Sequence, residues 1–298
     1  MMVKYIAITV FFLIVSVCKP SYAMGKLGHQ IVCQLAFEHL STVNQDKITH
    51  LLNAIPTQHQ HLINHYNYKK RDKPITFDNA CTWADAIKRI EEYRPYSAWH
   101  YLNVPRSNTH ISVNECSKNC LPQAILTHQK RLVKPEKTES KREREWQKIQ
   151  SLLFLGHWLG DIHQPLHISF ADDKGGNKIK FSHYDTKCGN LHWYWDECIF
   201  YKEKNSKRKW LELLRSKWKQ SSQPSWQAKQ VWQWADESFQ ITTQPSFNYC
   251  QLDSYGRCEK PKGNIKLPEN YLDEFQPIME QRLLQAAQRL TKVLEASL

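Results

Sequence analysis

The hydrophobic positions of this chain recur at helical spacing for most of its length. Between residues 25 and 40, Ile31, Val32, Leu35, Ala36 and Leu40 predict a helix with one broad apolar face. A second helix is predicted over 77–93, around the string TWADAIKRI. A long one over 141–163 begins with the charged KREREWQ and runs into LLFLGHWLGDIH, apolar on every side, as a helix entering a core must be. Pro165 stops it, and Gly175, Gly176 and Asn177 turn the chain. The following NKIKFSHY is the best candidate for a short strand. Further helices fit 191–202, 207–220, 224–240 and 269–296. In the last, Met279, Leu283, Ala286, Leu290 and Val293 keep a core-packing stripe. The segment KRLVKPEKTESKRERE reads as a solvated connection and helix start, and residues 246–268 as a surface excursion. With no internal repeat and no linker, the prediction is all-α: a single mostly helical domain with few short strands.

The first residues change that picture. Lys4 precedes a 14-residue apolar run from Tyr5 to Cys18, followed by the small residues Ser21 and Ala23 two positions apart. The run is short of the roughly 20 residues of a spanning helix, so residues 1–23 read as a secretory signal peptide and not as a permanent membrane anchor. The mature protein, residues 24–298, then begins at Met24 and is secreted or periplasmic. Processing removes Cys18 and leaves eight cysteines, an even number suited to disulfides in an oxidising compartment. The close pairs Cys116/Cys120, Cys188/Cys198 and Cys250/Cys258 could each close a loop, and spacing does not settle the pairing.

Composition narrows the function. Hydrophobic residues at 41% and aromatics at 12% are ample for a packed interior, which excludes disorder. A mean hydropathy of -0.63 excludes a multi-span membrane protein. The net charge of +12, only two units of which leave with Lys4 and Lys19, suits a polyanionic partner. The stretch YKEKNSKRKWLELLRSKWK sets Lys202, Lys204, Lys207, Arg208, Lys209, Arg215, Lys217 and Lys219 near Trp210 and Trp218. It reads equally well as a phosphate-backbone track or as the solvated face of an amphipathic helix.

The histidines and aspartates carry the chemistry. His157 and Asp161 stand four apart in LGHWLGD, and His192 and Asp196 four apart in LHWYWD. On a helix such pairs share one face about 5–6 Å apart, so both can reach one metal ion. Both are embedded in Leu and Trp, where a carboxylate needs a compensating cation. Asp85 in TWADAI, His100 in WHYLNVP, His167 at the end of DIHQPLH, and His29 add further donors, enough for more than one zinc.

The ordered strings GHQ, TWADAI, WHYLNVP, FLGHWLGDIHQPLH, GGN and NLHWYWD together resemble the zinc-dependent single-strand nucleases of the S-one/P-one type. More distantly they resemble the zinc phospholipases C. The resemblance implies three Zn2+ per chain. Asp85, His100 and His157 match the ligands of the first, and Asp161 the carboxylate that bridges two metals. His167, His192 and Asp196 match a more separate second site. His29 matches a ligand of the third, completed by the amine and carbonyl oxygen of the mature N-terminal residue, here Met24 where the family usually has Trp. Asp85, Lys88 and Asp161 are the expected catalytic residues. Lys88 stands where the family has a phosphate-contacting Arg, and so keeps the charge without the bidentate fork. Tyr101 and Asn103 fall where the family stacks and reads an unpaired base. The implied function is a monomeric, secreted phosphodiesterase that hydrolyses single-stranded RNA and DNA to 5′-phosphate products, with 3′-nucleotidase activity as a further expectation. Two alternatives stand beside it: a zinc-dependent phospholipase C, and a non-catalytic protein that binds zinc and nucleic acid. Base and sugar preference, pH optimum and biological role are not written in the sequence.

Overall fold

The helical spacing closes, in a computed structural model, into a bundle around one buried helix. The structure describes residues 24–298 apart from 70–71, 118, 139, 181–186, 201–205, 222–229, 245–246, 248–249, 251 and 260–263, and apart from the side chains of 219–221. The signal peptide predicted over 1–23 lies outside the described residues. In chain order the elements are α1 (Lys26–Glu38), α2 (Thr42–Asn53), α3 (Thr57–Tyr68), the single turns α4 (Phe77–Ala80) and α5 (Trp83–Ala86), and a 3-10 stretch Glu91–His100. Then come β1 (Leu102–Val104), α6 (Leu121–Val133), α7 (Lys141–Asp161), a 3-10 turn Pro165–His167, β2 (Ile168–Phe170) and α8 (Leu191–Asp196). The chain ends with α9 (Lys207–Ser221), α10 (Val231–Thr242) and α11 (Tyr271–Ser297). The all-α class is as predicted.

The central helix is α7. Ser140 caps it, its Oγ accepting from the amides of Arg142 and Glu143. Its first turns are solvated, while every residue from Ser151 to Asp161 is buried. Helices α1, α6 and α11 pack around that half. All faces being covered explains why its apolar run shows no amphipathic stripe.

Several elements differ from expectation for local reasons. The helix predicted over 77–93 is broken: Thr82 Oγ1 donates to the Asn79 carbonyl at 2.7 Å, and Cys81 is bonded to Cys33. The helix expected over 191–202 stops at Asp196, just before Cys198, which is bonded back to Cys188. In the span expected over 224–240, α10 runs from Val231 and residues 222–229 lie outside the description. Helices α2 and α3 were not anticipated, because each buries only three residues, among them Asn44, His59 and Asn64. Helix α6 does carry a clear stripe, Leu121, Ala124, Ile125, His128 and Leu132. Of the NKIKFSHY strand only the bridge Lys180↔Asn190 falls within the described residues. The described sheet is instead the parallel pair β1–β2.

Three disulfides, Cys33–Cys81, Cys116–Cys120 and Cys188–Cys198, fit an oxidising, non-cytoplasmic compartment. Cys250 and Cys258 do not bridge; their thiols lie within hydrogen-bonding reach of each other. Part of the basic stretch around α9 ties that helix to the rest of the fold, while Arg208 pairs within the helix and Lys209 is exposed. Lys207 pairs with Asp78, Arg208 with Glu212 at 2.7 Å, Arg215 with Glu38 at 2.5 Å, and Lys217 with Glu280. Trp210 is buried and Trp218 stacks on His39. Lys202, Lys204 and the side chain of Lys219 lie outside the described residues. No described helix is long and apolar enough to cross a membrane.

Candidate metal centre

Two short strands bring distant histidines together. His100 precedes β1 and His167 precedes β2, and the parallel register sets Leu102 beside Ile168. The His167 Nδ1–H accordingly donates to the His100 carbonyl at 2.6 Å. The disulfide Cys33–Cys81 draws α1, which carries His29, onto the segment that carries Asp85. Both sulfurs rest on Gly156, where an added Cβ would lie 2.2 Å from Cys81 Sγ, so only glycine lets α7 approach this closely. Asn190 caps α8, its Oδ1 accepting from the Trp193 amide at 2.9 Å, which fixes the face holding His192 and Asp196.

The histidine tautomers are set by the backbone. His157 Nδ1 donates to the Cys81 carbonyl at 2.8 Å and His192 Nδ1 to the Gly175 carbonyl at 2.7 Å, as His167 Nδ1 does to His100. Each ring thereby turns Nε2 toward a carboxylate, the arrangement by which proteins orient metal-ligating imidazoles. His157 Nε2 stands 3.3 Å from Asp161 Oδ2, and His192 Nε2 3.3 Å from Asp196 Oδ2. Each four-residue spacing thus places its imidazole and carboxylate side by side on one helix face.

Asp161 stands at the centre. Its Oδ2 faces His100 Nδ1 at 3.0 Å and His157 Nε2, while its Oδ1 faces His29 Nε2 at 3.3 Å and His167 Nδ1 at 3.7 Å. Three buried groups have donor atoms within 4.8 Å of one another: His29, His157 and Asp161; Asp85, His100 and His157; His167, His192 and Asp196. His29 lies stacked on His157, with ring centroids 3.7 Å apart. Met24 is fully buried nearby, its side chain against Gly28 and Gly160, and an added Cβ on Gly160 would meet the His29 ring at 2.6 Å.

The donor set fits metal ions. Both ring nitrogens of His29, Asp161 Oδ1 and Asp196 Oδ2 are buried without a hydrogen bond, and the His29–Asp161 approach lacks hydrogen-bond geometry. Three buried aspartates in one site need positive charge, and mixed imidazole and carboxylate donors suit zinc. Trp158 meets His100 edge-on at 4.6 Å, and Trp83, Trp158 and Trp195 are buried, so the surroundings are apolar.

Burial and neighbouring charges tune these candidate donors. Burial pushes the His100 imidazole down to about 3, with Lys88 adding to the effect, and burial also lowers His29 and His192. These rings are neutral at pH 7, the ligating form. Burial also opposes the charged form of His167, but Asp161 and Asp196 outweigh it and lift that ring to about 9. Asp85 and Asp161 remain ionised: burial would raise both, yet Lys88 and His157 hold Asp85 down, and His157 and His167 hold Asp161 down. A proton therefore occupies His167 below about pH 9 and must leave when a metal binds. Zinc affinity at that cluster is expected to fall up to about tenfold per pH unit as the pH drops. Calorimetric titration of the metal-free protein in buffers of different ionisation heat checks this, and an uptake independent of pH between 6 and 8 contradicts it.

The remaining predicted residues surround the clusters. Lys88 Nζ pairs with Asp85 Oδ1 at 2.6 Å and stays partly exposed. Tyr101 is exposed, and Asn103 Oδ1 is buried without a hydrogen bond close to Gly175. Gly175 has φ 58°, and a Cβ there would meet the Leu166 carbonyl at 2.4 Å. Two residues went unnoticed in the sequence. Gln164 donates from Nε2 to Asp196 Oδ1 at 2.6 Å and accepts from the Leu166 amide, orienting that carboxylate. The Tyr66 hydroxyl donates to Asp85 Oδ2 at 3.3 Å. Gln164 lies inside DIHQPLH, where the histidines drew attention, and Tyr66 sits in a polar helix with no local signal.

Comparison with known proteins gives relatives over the whole of this region. The sequence model described as S1/P1 Nuclease matches residues 24–298. Endonuclease 2 of Arabidopsis thaliana is 29% identical over 284 residues, 92% of this chain and 90% of that protein. Endonuclease 1 of the same plant is 27% identical over 282 residues, 91% and 85% of the two chains. Nuclease S1 of Aspergillus oryzae is 27% identical over 182 residues, 59% of this chain and 54% of its own. The phospholipase C alternative is not favoured. Because the match runs from Met24 to the last residue, across every segment that contributes a donor, this chain belongs to the S1/P1 nuclease family of zinc-dependent hydrolases.

Proposed function

We propose that the mature protein is a secreted or periplasmic, monomeric phosphodiesterase that cleaves single-stranded RNA and DNA to 5′-phosphate products. The observation that carries this reading is Asp161, a buried carboxylate whose two oxygens face different histidine groups. In this reading Asp85, His100 and His157 hold one zinc, His167, His192 and Asp196 a second, and His29 a third together with the Met24 amine and carbonyl. Asp161, with one oxygen toward His100 and His157 and the other toward His29, would contribute to both the first and the third. Bound zinc supplies Lewis acidity toward the phosphate and an activated water at neutral pH. Lys88, already turned to the centre by Asp85, neutralises a non-bridging phosphate oxygen. Tyr101 offers an exposed ring for a base to stack on, and Asn103, two residues on, the amide side chain that would read the base edge. Both need an unpaired nucleotide, hence the preference for single strands. Cleavage of the 1–23 leader frees the amine that the third site uses.

The test is to purify the processed protein, sequence its N-terminus and count its zinc. It is then assayed on single- and double-stranded DNA, RNA, 3′-AMP and phosphatidylcholine. Expected are a Met24 start, three zinc per chain and chelator-reversible cleavage of single strands leaving 5′-phosphates. Lecithin hydrolysis without nuclease activity, or nucleic-acid binding without cleavage, would replace this reading with one of its alternatives.

A further inference from the structure

We infer that Arg282 and Arg289 of α11, joined through Glu237 of α10, are positioning residues that clamp the turn leading from Asp161 to His167. The inference rests on the metal-holding roles proposed for those two residues.

Helix α7 ends at Asp161; the amides of Ile162, His163 and Gln164 satisfy the Trp158, Gly160 and Asp161 carbonyls, and the carbonyls of the turn that follows take their donors from elsewhere. The Ile162 carbonyl accepts from Ser238 Oγ at 2.5 Å and the His163 carbonyl from Arg282 Nε at 3.2 Å. His163 Nδ1 donates to the Leu159 carbonyl at 2.7 Å, and its Nε2 accepts from Arg289 Nη1 at 2.8 Å. That guanidinium therefore fixes the tautomer of His163, and through it the last turn of α7.

The two arginines are themselves tied. Arg282 donates to Glu237 Oε2 at 2.9 Å, Gln285 Oε1 at 2.6 Å and Ser238 Oγ at 2.6 Å. Arg289 donates to both Glu237 oxygens, at 2.7 and 3.0 Å. Both guanidiniums are buried, with one carboxylate between them. A buried ion network is weak evidence for stability, since well-packed apolar side chains often replace one at little cost. Apolar side chains could not, however, donate to the turn carbonyls or to His163. The rigid guanidinium fork meets several acceptors in one plane, which a lysine cannot do. What the clamp fixes is the spacing between Asp161, grouped with His29 and His157, and His167, grouped with His192 and Asp196.

The test compares Arg282→Met and Arg289→Met with Leu283→Ala, a buried apolar truncation in the same helix that removes none of the clamp's hydrogen bonds. Zinc affinity is measured on metal-free protein by competition with a chelator, amide exchange over 159–166 by mass spectrometry, and kcat and KM on a dinucleotide. Because the arginines reach the donors only through the turn, zinc affinity is expected to fall by about 10-fold or less, the lower end of the cost of losing a partner that touches a ligand directly, with faster exchange across the turn and a lower kcat at little-changed KM. Leu283→Ala should lose melting temperature while retaining zinc affinity. Arg289→Lys, which keeps the charge and loses the fork, should fall between Arg289→Met and the wild type. If the arginine variants lose no more zinc affinity than Leu283→Ala, the clamp is purely structural and the inference is overturned. Should Arg289→Met fail to fold, Arg289→Lys decides: wild-type affinity and exchange overturn the inference. A wild type that binds no zinc defeats the proposed function instead, and exchange over 159–166 still reads the clamp.

Discussion

Asp161→Asn is expected to lower nuclease activity at least about 10³-fold, the largest effect of any single substitution in this protein. The change is nearly isosteric, so it removes charge without removing bulk. Asp161 is the one carboxylate whose two oxygens face His100 and His157 on one side and His29 and His167 on the other. An amide retains one weak acceptor oxygen and turns an NH₂ group toward imidazole nitrogens that should face a cation. Zinc content should therefore fall below that of the wild type, with the His167, His192 and Asp196 group least affected because it closes without Asp161. Metal analysis, activity and the zinc-induced rise in melting temperature check this together. Full zinc loading with wild-type turnover would remove Asp161 from the centre.

The second large effect concerns stability. Cys33 and Cys81 are 48 residues apart in sequence, and the chain-entropy account of disulfides gives about 4 kcal/mol for a loop of that length. Cys116–Cys120, with a separation of 4, gives only about 2 kcal/mol on the same account. Cys33→Ser/Cys81→Ser should thus melt about 10 °C lower than the wild type, and further below it than Cys116→Ser/Cys120→Ser. Its consequence reaches the site, because Cys33–Cys81 lies on Gly156 and holds the His29, Asp85 and His157 segments together. The double variant should lose zinc from the groups built on those segments before it unfolds. Calorimetry with zinc analysis on heating reads both, and melting within about 2 °C of the wild type would refute the tie.

Much of the centre was legible because two of its pairs are local. Four-residue spacing on a helix converts directly into a shared face, so His157 with Asp161 and His192 with Asp196 could be read as pairs from the sequence. The long helix over 141–163 was equally legible, since a charged start and an apolar run describe a helix entering a core. Helices α2 and α3 were not, because a face that buries asparagine and histidine leaves no apolar period. The Lys and Arg residues of α9 were left open by the sequence for a different reason. Charge in a sequence carries no direction: Lys207, Arg208, Arg215 and Lys217 turn toward Asp78, Glu212, Glu38 and Glu280, while Lys209 is exposed.

The sequence by itself determined the residue types, their local spacing and hence the chemistry available: nitrogen and carboxylate donors, a charged lysine, an exposed aromatic. Only the tertiary structure decided which donors meet. The parallel pair β1–β2 sets His100 against His167, Gly156 admits the disulfide that gathers α1 and Asp85, and Arg282 and Arg289 cap a turn lying more than a hundred residues earlier. Those contacts are non-local, and their energies come from burial and hydrogen bonds made only when the elements pack. No window of sequence contains both partners, so no local pattern could have announced them.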